Sequence, residues 1–366
     1  MTTLSNRQLN RATLARQLLL QRTAKPVIDA VDLLIGLQAQ TTNGPYQALW
    51  NRLDGFTPAA LTAAILDKSL LRATTMRSTL HLHTTPDLLS IRPLVQPMLD
   101  RTFLSVAKSR AASADRPAVH SRGVALLDQQ PMTAGELGKQ LARSWPGGDP
   151  LVLAQVVQCL ETLVQIPPTR IWGHGGAPLL SRLENWLGRG LAEPIELQHL
   201  TLRYLAAFGP AGVSDMQTWS GLTRLAPIFE SLRPQLQIFT AEDGRTLFDL
   251  PDAPRPDADT PAPVRFLPEY DNVFLGYADR LRIQPPEAKR QMPMVNGYPS
   301  TFTLDGFIAG KWSLARKKDM ARLTIAPFTP LGKRDRAAVE QEGHAMAHFL
   351  TDGNSAIETE FAPVPD

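Results

Sequence analysis

Along the first 85 positions, apolar residues recur at three- and four-residue spacing in short runs, several of them opened by a residue able to cap a helix. Ser5 with Gln8, Thr133 with Glu136 and Ser214 with Gln217 have capping-box spacing. Thr57-Pro58 puts proline at a first helical position, where its missing N–H costs nothing. Short helices are therefore expected as the main element. Between them, LLRATTM from Leu70 and STLHLHT from Ser78 alternate and meet at Arg77, the pattern of a small β-hairpin. Residues 5 to 85 then read helix, helix, short helix, helix, strand, strand, the outline of a winged helix-turn-helix.

That outline recurs. MTAGELGKQLARSW, a helix over 151–164 and QIPPTRIWGHGGAPLLS would make a second unit, with its wing between Gly173 and Gly176. LTLRYLAAFGPAGVSDMQTWSGLTRLAPIFESL, followed by LQIFTAEDGRTLFDL around Asp243-Gly244, would make a third. The proline-rich DLPDAPRPDADTPAPVR has no apolar period and reads as a linker or long surface loop. Beyond it RFLPEYDNVFLGY, STFTLDGFIAGKWSLAR and ARLTIAPF read as antiparallel strands, with Asp305-Gly306 as a hairpin turn and a last helix over 334–350. The expected architecture is mainly α with small β wings (α+β): tandem winged helices over 1–123, 124–195 and 196–250, a linker or loop over 251–265, and a β-rich domain over 266–366.

Composition narrows the function classes. The chain has 366 residues, 43% of them apolar, enough for two or three packed domains. Its single cysteine, Cys159, excludes an internal disulfide, and no cysteine set exists for a structural zinc or an iron-sulfur cluster. The N-terminal stretch has no unbroken apolar core, so neither signal peptide nor membrane span is expected, and the cytoplasm is the expected compartment. The net charge of +3 hides an asymmetry: residues 1–123 hold 15 Lys/Arg against 7 Asp/Glu, and nine Lys/Arg fall between Arg280 and Arg322. Such excesses suit a polyanion, although solvated helix faces would look alike.

The segment LLIGLQAQTTNGPYQALWNRL carries the chemistry. Gln38 and Gln40 flank Ala39, after an apolar helical run and before an Asn43-Gly44-Pro45 breaker expected to end that helix. Glutamines at i and i+2 point to nearly opposite faces of a continuous helix and converge only where the backbone leaves helical geometry. This QAQ resembles the glutamine, apolar, glutamine motif of the AlkZ-like DNA glycosylases, whose YcaQ branch carries aspartate at the last position. TMRSTLHLHTTPDLL, FGPAGVSDMQTWSGL, RFLPEYDNVFLGYADR and TLDGFIAGKW resemble that family's wing, third helix-turn-helix and C-terminal strands.

The resemblance implies a concave array of winged helices cupping duplex DNA. It also implies a monomeric, monofunctional glycosylase for N7-alkylated purines, in a family where several members unhook interstrand crosslinks as antibiotic self-resistance. An N7-alkylated purine is cationic and leaves as a neutral base, so little acid assistance is needed. What remains is to place a water and stabilise an oxocarbenium-like transition state, work that amide dipoles can do. Gln38 is assigned to the water and sugar, with Gln40 as its partner.

His81 and His83 lie on one face of a strand. They suit contact with DNA, burial as structural histidines, or a metal site, for which no third ligand is evident. Arg72 and Arg77 are phosphate candidates, because guanidinium forks match phosphate geometry. Asn43, Arg280 and Arg282 join them as candidate DNA contacts. Asp271, Asp279 and Arg280 read as a structural ion pair or turn cap. No phosphate-binding glycine loop, supported Ser/His/Asp set or Schiff-base lysine stands out, so no cofactor is expected. The alternative is a non-catalytic winged-helix regulator, which would be a two-fold dimer on a palindrome.

Overall fold

The computed structural model describes residues 2–107, 115–292 and 297–364. Lys108 and Arg110 of the basic N-terminal third lie outside the described residues.

Ser5 and Gln8 close a capping box that opens the helix Asn6–Arg16, and Thr133 with Glu136 does the same for Ala134–Ser144. The third box differs from expectation. Gly212 is the N-cap of Val213–Ser220 and donates its N–H to the Asp215 carboxylate at 2.8 Å, which puts Ser214 inside the first turn. A carboxylate at the positive end of a helix is the stronger partner there.

The helices Val27–Leu33, Gly44–Trp50 and Pro58–Leu66 pack on the hairpin Leu70–Thr74 and Leu80–Thr84 through Ala30, Val31, Leu34, Leu49, Leu61, Leu70 and Leu82. The breaker Asn43-Gly44-Pro45 does not end a helix. The preceding helix stops at Leu33, and Pro45 sits in the first turn of the next. Between the two lies a strand, Leu37–Gln38, paired antiparallel with Leu80–Thr84.

The hairpin does not stand alone. Its outer strand Leu70–Thr74 pairs with Leu163–Ile166, giving an antiparallel six-stranded sheet in the order 37–38, 80–84, 70–74, 163–166, 179–182, 132–133. The expected helix over 151–164 is therefore shorter, Pro150–Leu160. Val164 and Ile166 go instead to the sheet face, where they bury with Leu71 and Ala73, packing that overrides helical continuation. Two helices without a counterpart in the sequence reading, Thr85–Ala107 and Arg116–Gln129, come after the first hairpin in the chain.

Helices Leu197–Phe208, Val213–Ser220 and Ala226–Leu232 precede the hairpin Gln237–Ala241 and Thr246–Asp249, which turns through Gly244 at φ 82°. The strand Thr2–Leu4 adds to it in parallel. Residues 251–265 form a strap over the first helix: Arg16, Arg7 and Arg11 donate to the carbonyls of Pro254, Ala258 and Thr260.

The C-terminal sheet runs Arg265–Leu267, Thr301–Leu304, Phe307–Lys317, Met320–Pro327 and Ala356–Phe361, covered by the helix Lys333–Leu350. Asp305 and Gly306 form the expected turn, at φ 48° and 82°. The stretch after Leu267, expected as strand, instead makes the helical turn Asn272–Leu275, capped by Asp271. Among the described residues, no helix is long and apolar enough to cross a membrane.

Candidate active site

The strand Leu37–Gln38 takes the backbone out of helical geometry at the motif, with Gln40 in the bend that follows. Each amide is then held differently. Gln38 is 7% exposed, and its Oε1 accepts from Arg77 Nη2 at 2.6 Å. Gln40 is exposed, and its Oε1 accepts from the Leu80 backbone N–H at 3.1 Å, one step past the ladder bond from Ala39 N to Leu80 O. No acceptor for either glutamine's NH2 is found among the described residues.

The segment is tied down from several parts of the fold. Gly36, at φ 93°, lies so close to His83 that a Cβ would collide with the imidazole and with the Leu82 carbonyl. Its own carbonyl accepts from Asn272 Nδ2 at 2.8 Å. Thr42 Oγ1 accepts from Arg170 Nη1 at 3.3 Å.

His81 faces Gln38 across the ladder, with His83 two residues on, their rings stacked 5.5 Å apart. Both histidines are buried, and burial lowers both pKa values: His81 well below the ordinary 6.5, helped by Arg77 and His83, and His83 to about 4. Both are neutral at neutral pH. His83 Nε2 lies 2.9 Å from Thr75 Oγ1. Among the described residues, no third group joins them as a metal cluster.

Of the expected DNA contacts, the structure keeps Asn43 exposed and Arg280 half-buried, donating to Tyr298 OH at 2.9 Å. Arg72 differs from expectation: it is 4% exposed within the central strand, and burial lowers its pKa to about 10. Arg282 is buried too, donating to Pro210 O with its guanidinium over the Tyr277 ring. Together with His81 and His83, these side chains have no surface to offer a phosphate. Asp271 and Asp279 are both ion-paired and turn-capping, with Arg52 and Arg245 as partners in place of Arg280.

Two open depressions meet at Thr41 and Asn43, just past the glutamines. One of about 590 Å³ extends to Trp312 and Arg316, and one of about 360 Å³ extends to Gly173, His174 and Gly175. The enclosed cavity beneath Thr74 and Leu80, about 80 Å³, has room for waters and not for a nucleobase.

The family model for AlkZ-like DNA glycosylases matches residues 31–349, from the helix before the glutamines to the last turn of the final helix. The chain belongs to the AlkZ-like DNA glycosylase family. A solved structure, the DNA glycosylase AlkZ of Streptomyces sahachiroi, shares its fold with a TM-score of 0.77 at 20% identity, covering 99% of this chain and 100% of that one. A search of curated proteins finds no match.

The sequence did not single out the groups that hold the glutamines. Arg77 was legible only as a phosphate candidate, and Asn272 not at all. Gly36 carries one usable signal, a glycine closing an apolar helical run.

Proposed function

We propose that this AlkZ-like glycosylase hydrolyses the N-glycosidic bond of N7-alkylated purines in duplex DNA as a monofunctional enzyme, with Gln38 as the catalytic residue and Gln40 supporting it. The observation that carries the reading is the Gln38 carboxamide, nearly buried and fixed at Oε1 while its NH2 has no partner among the described residues. A carbonyl oxygen has two lone pairs. One is taken by Arg77, the other is available to an attacking water, and the NH2 can hold an oxygen of the sugar. Such groups act on a cationic leaving base by positioning and dipole stabilisation, without a general acid of tuned pKa. In this reading the units form a tandem winged-helix array around DNA, with Asn43 and Arg280 as backbone contacts, and the protein acts as a monomer in the cytoplasm.

The open depressions at Thr41 and Asn43, three to five residues past Gln38, support action on bulky adducts or crosslinks, because a base tied to the opposite strand cannot rotate into a closed pocket. Gln38→Ala is expected to lower single-turnover release of N7-methylguanine from duplex DNA by roughly 10²- to 10³-fold, with DNA affinity within a few-fold and an unchanged thermal midpoint. Wild-type release rates in the folded variant would place catalysis elsewhere. Release from a crosslinked duplex separates the crosslink reading from simple methyl repair.

A further inference from the structure

The turn of the first hairpin is built from two consecutive left-handed residues, Arg77 at φ 55° and Ser78 at φ 57°, closed by Thr79 N–H to Met76 O at 3.1 Å. A turn of this kind favours Asn-Gly, and side chains in it are strained. Packing holds it: Gly221, just beyond the helix Val213–Ser220, rests against the turn, where a Cβ would come within 3.1 Å of the Arg77 nitrogen.

The strained turn delivers a half-buried guanidinium that forms no salt bridge with a carboxylate among the described residues. Arg77 instead donates through Nη1 to the Trp219 carbonyl and through Nη2 to Gln38 Oε1 at 2.6 Å, with His81 Nε2 at 3.1 Å. Arginine offers donors and no acceptor. Gln38 must therefore turn its carbonyl, not its NH2, toward Arg77. By the same logic His81 Nε2 is the bare nitrogen, and its Nδ1–H donates to Thr79 O at 3.0 Å. One side chain thus fixes an amide orientation and an imidazole tautomer.

We propose that Arg77 is the positioning residue of this site: it locks the Gln38 carboxamide and the His81 tautomer in the arrangement base release requires, and is not a contact for the DNA backbone. The proposal rests on the glycosylase reading of Gln38. Both terminal nitrogens of the guanidinium already have partners inside the protein. The charged and titratable groups around His81 are Arg77 and His83, with Asp87 and Arg203 beyond His83.

The test compares wild type, Arg77→Met, Arg77→Lys, Gln38→Ala and the Arg77→Met/Gln38→Ala double variant on duplex DNA carrying N7-methylguanine. Arg77→Met is expected to lower the single-turnover rate by about 10²-fold with DNA affinity unchanged, and Arg77→Lys to recover part of it. In the Gln38→Ala background the same change is expected to cost less than about 3-fold, because the two act as a unit. A full loss in that background, or a weaker DNA affinity with a salt slope lower by about one, makes Arg77 a phosphate contact and overturns the proposal. If wild type releases no base at all, the glycosylase reading fails and Arg77 is still tested by nitrogen-15 NMR of the histidines. His81 is expected neutral with Nε2 unprotonated at pH 6 in wild type, and to take up a proton at higher pH in Arg77→Met. A His81 spectrum indifferent to the substitution overturns the proposal.

Discussion

An amide can replace a carboxylate in glycosidic chemistry only if its orientation is decided for it, because rotation by half a turn exchanges its acceptor for its donors. At Gln38 the decision comes from a donor-only neighbour, and at Gln40 from a backbone N–H. The glutamines themselves were legible in the sequence, and so was their need to leave helical geometry. The partners were not, since Arg77 contacts Gln38 across 39 residues of chain. The fate of the histidines was also open, because a period-two pair reads alike whether a strand face is buried or wet. Burial decides it and has a measurable cost. Below pH 6.5 the unfolded chain takes a proton that folded His83 refuses until about pH 4, so stability falls as pH drops through that window. The full effect is about 3 kcal/mol, and His81 acts in the same direction. Urea midpoints at pH 7.5, 6 and 5 are expected to decline, and to decline less in His83→Gln. Parallel declines in the two proteins would assign the acid sensitivity to other groups.

At the scale of elements, capping chemistry and turn residues were reliable where their partners are local. The boxes at Ser5 and Thr133, the proline at position 58 and the Asp305-Gly306 turn all form as read. What the sequence concealed is non-local. The strand Thr2–Leu4 and the strand Ala356–Phe361 exist because distant edges accept them, and Leu163–Ile166 is a strand because Leu70–Thr74 needs a neighbour. The strand Leu37–Gln38 belongs to this class and is the one on which the site depends. Gly36 makes it possible, with a left-handed φ of 93° and the His83 ring where a side chain would go. Gly36→Ala is expected to destabilise the fold by about 2 kcal/mol or more and to slow base release as well, because the displaced strand carries Gln38. Urea denaturation and single-turnover kinetics on the same preparation check both, and a variant unchanged in either would show that the approach to His83 is slack.

For the whole molecule, the question is what keeps parts distant in sequence in register around one site. Apolar clusters join the parts, Leu14 and Leu19 packing with Leu267 and Phe328 and Leu4 and Leu9 with Phe239 and Leu247, and charged pairs reach between them as well. Arg16 on the first helix pairs with Asp249 at the end of the third hairpin, and Arg203 donates to Asp87 and Asp32. Arg52, just after the helix that follows the glutamines, forks onto Asp271 at 2.7 and 2.9 Å, with both side chains at most 1% exposed. Asp271 also caps the turn that carries Asn272, the residue bonded to Gly36 O. A buried pair adds little net stability over a well-packed apolar pair, but removing one member strands the other charge, typically at about 3 to 5 kcal/mol. Asp271→Asn keeps a capping oxygen and removes only the charge, so its expected loss falls in that range. Arg52→Met strands the carboxylate and should cost a similar amount. The double variant strands nothing, and its loss is expected to undercut the sum of the singles by about 2 kcal/mol, read from urea midpoints at pH 7.5. Strict additivity would mean that Arg52 and Asp271 stabilise their parts independently, and the coupling between the first helices and the C-terminal sheet would have to reside in other contacts, such as those of Gln47 and Asn51 with the Phe266 carbonyl.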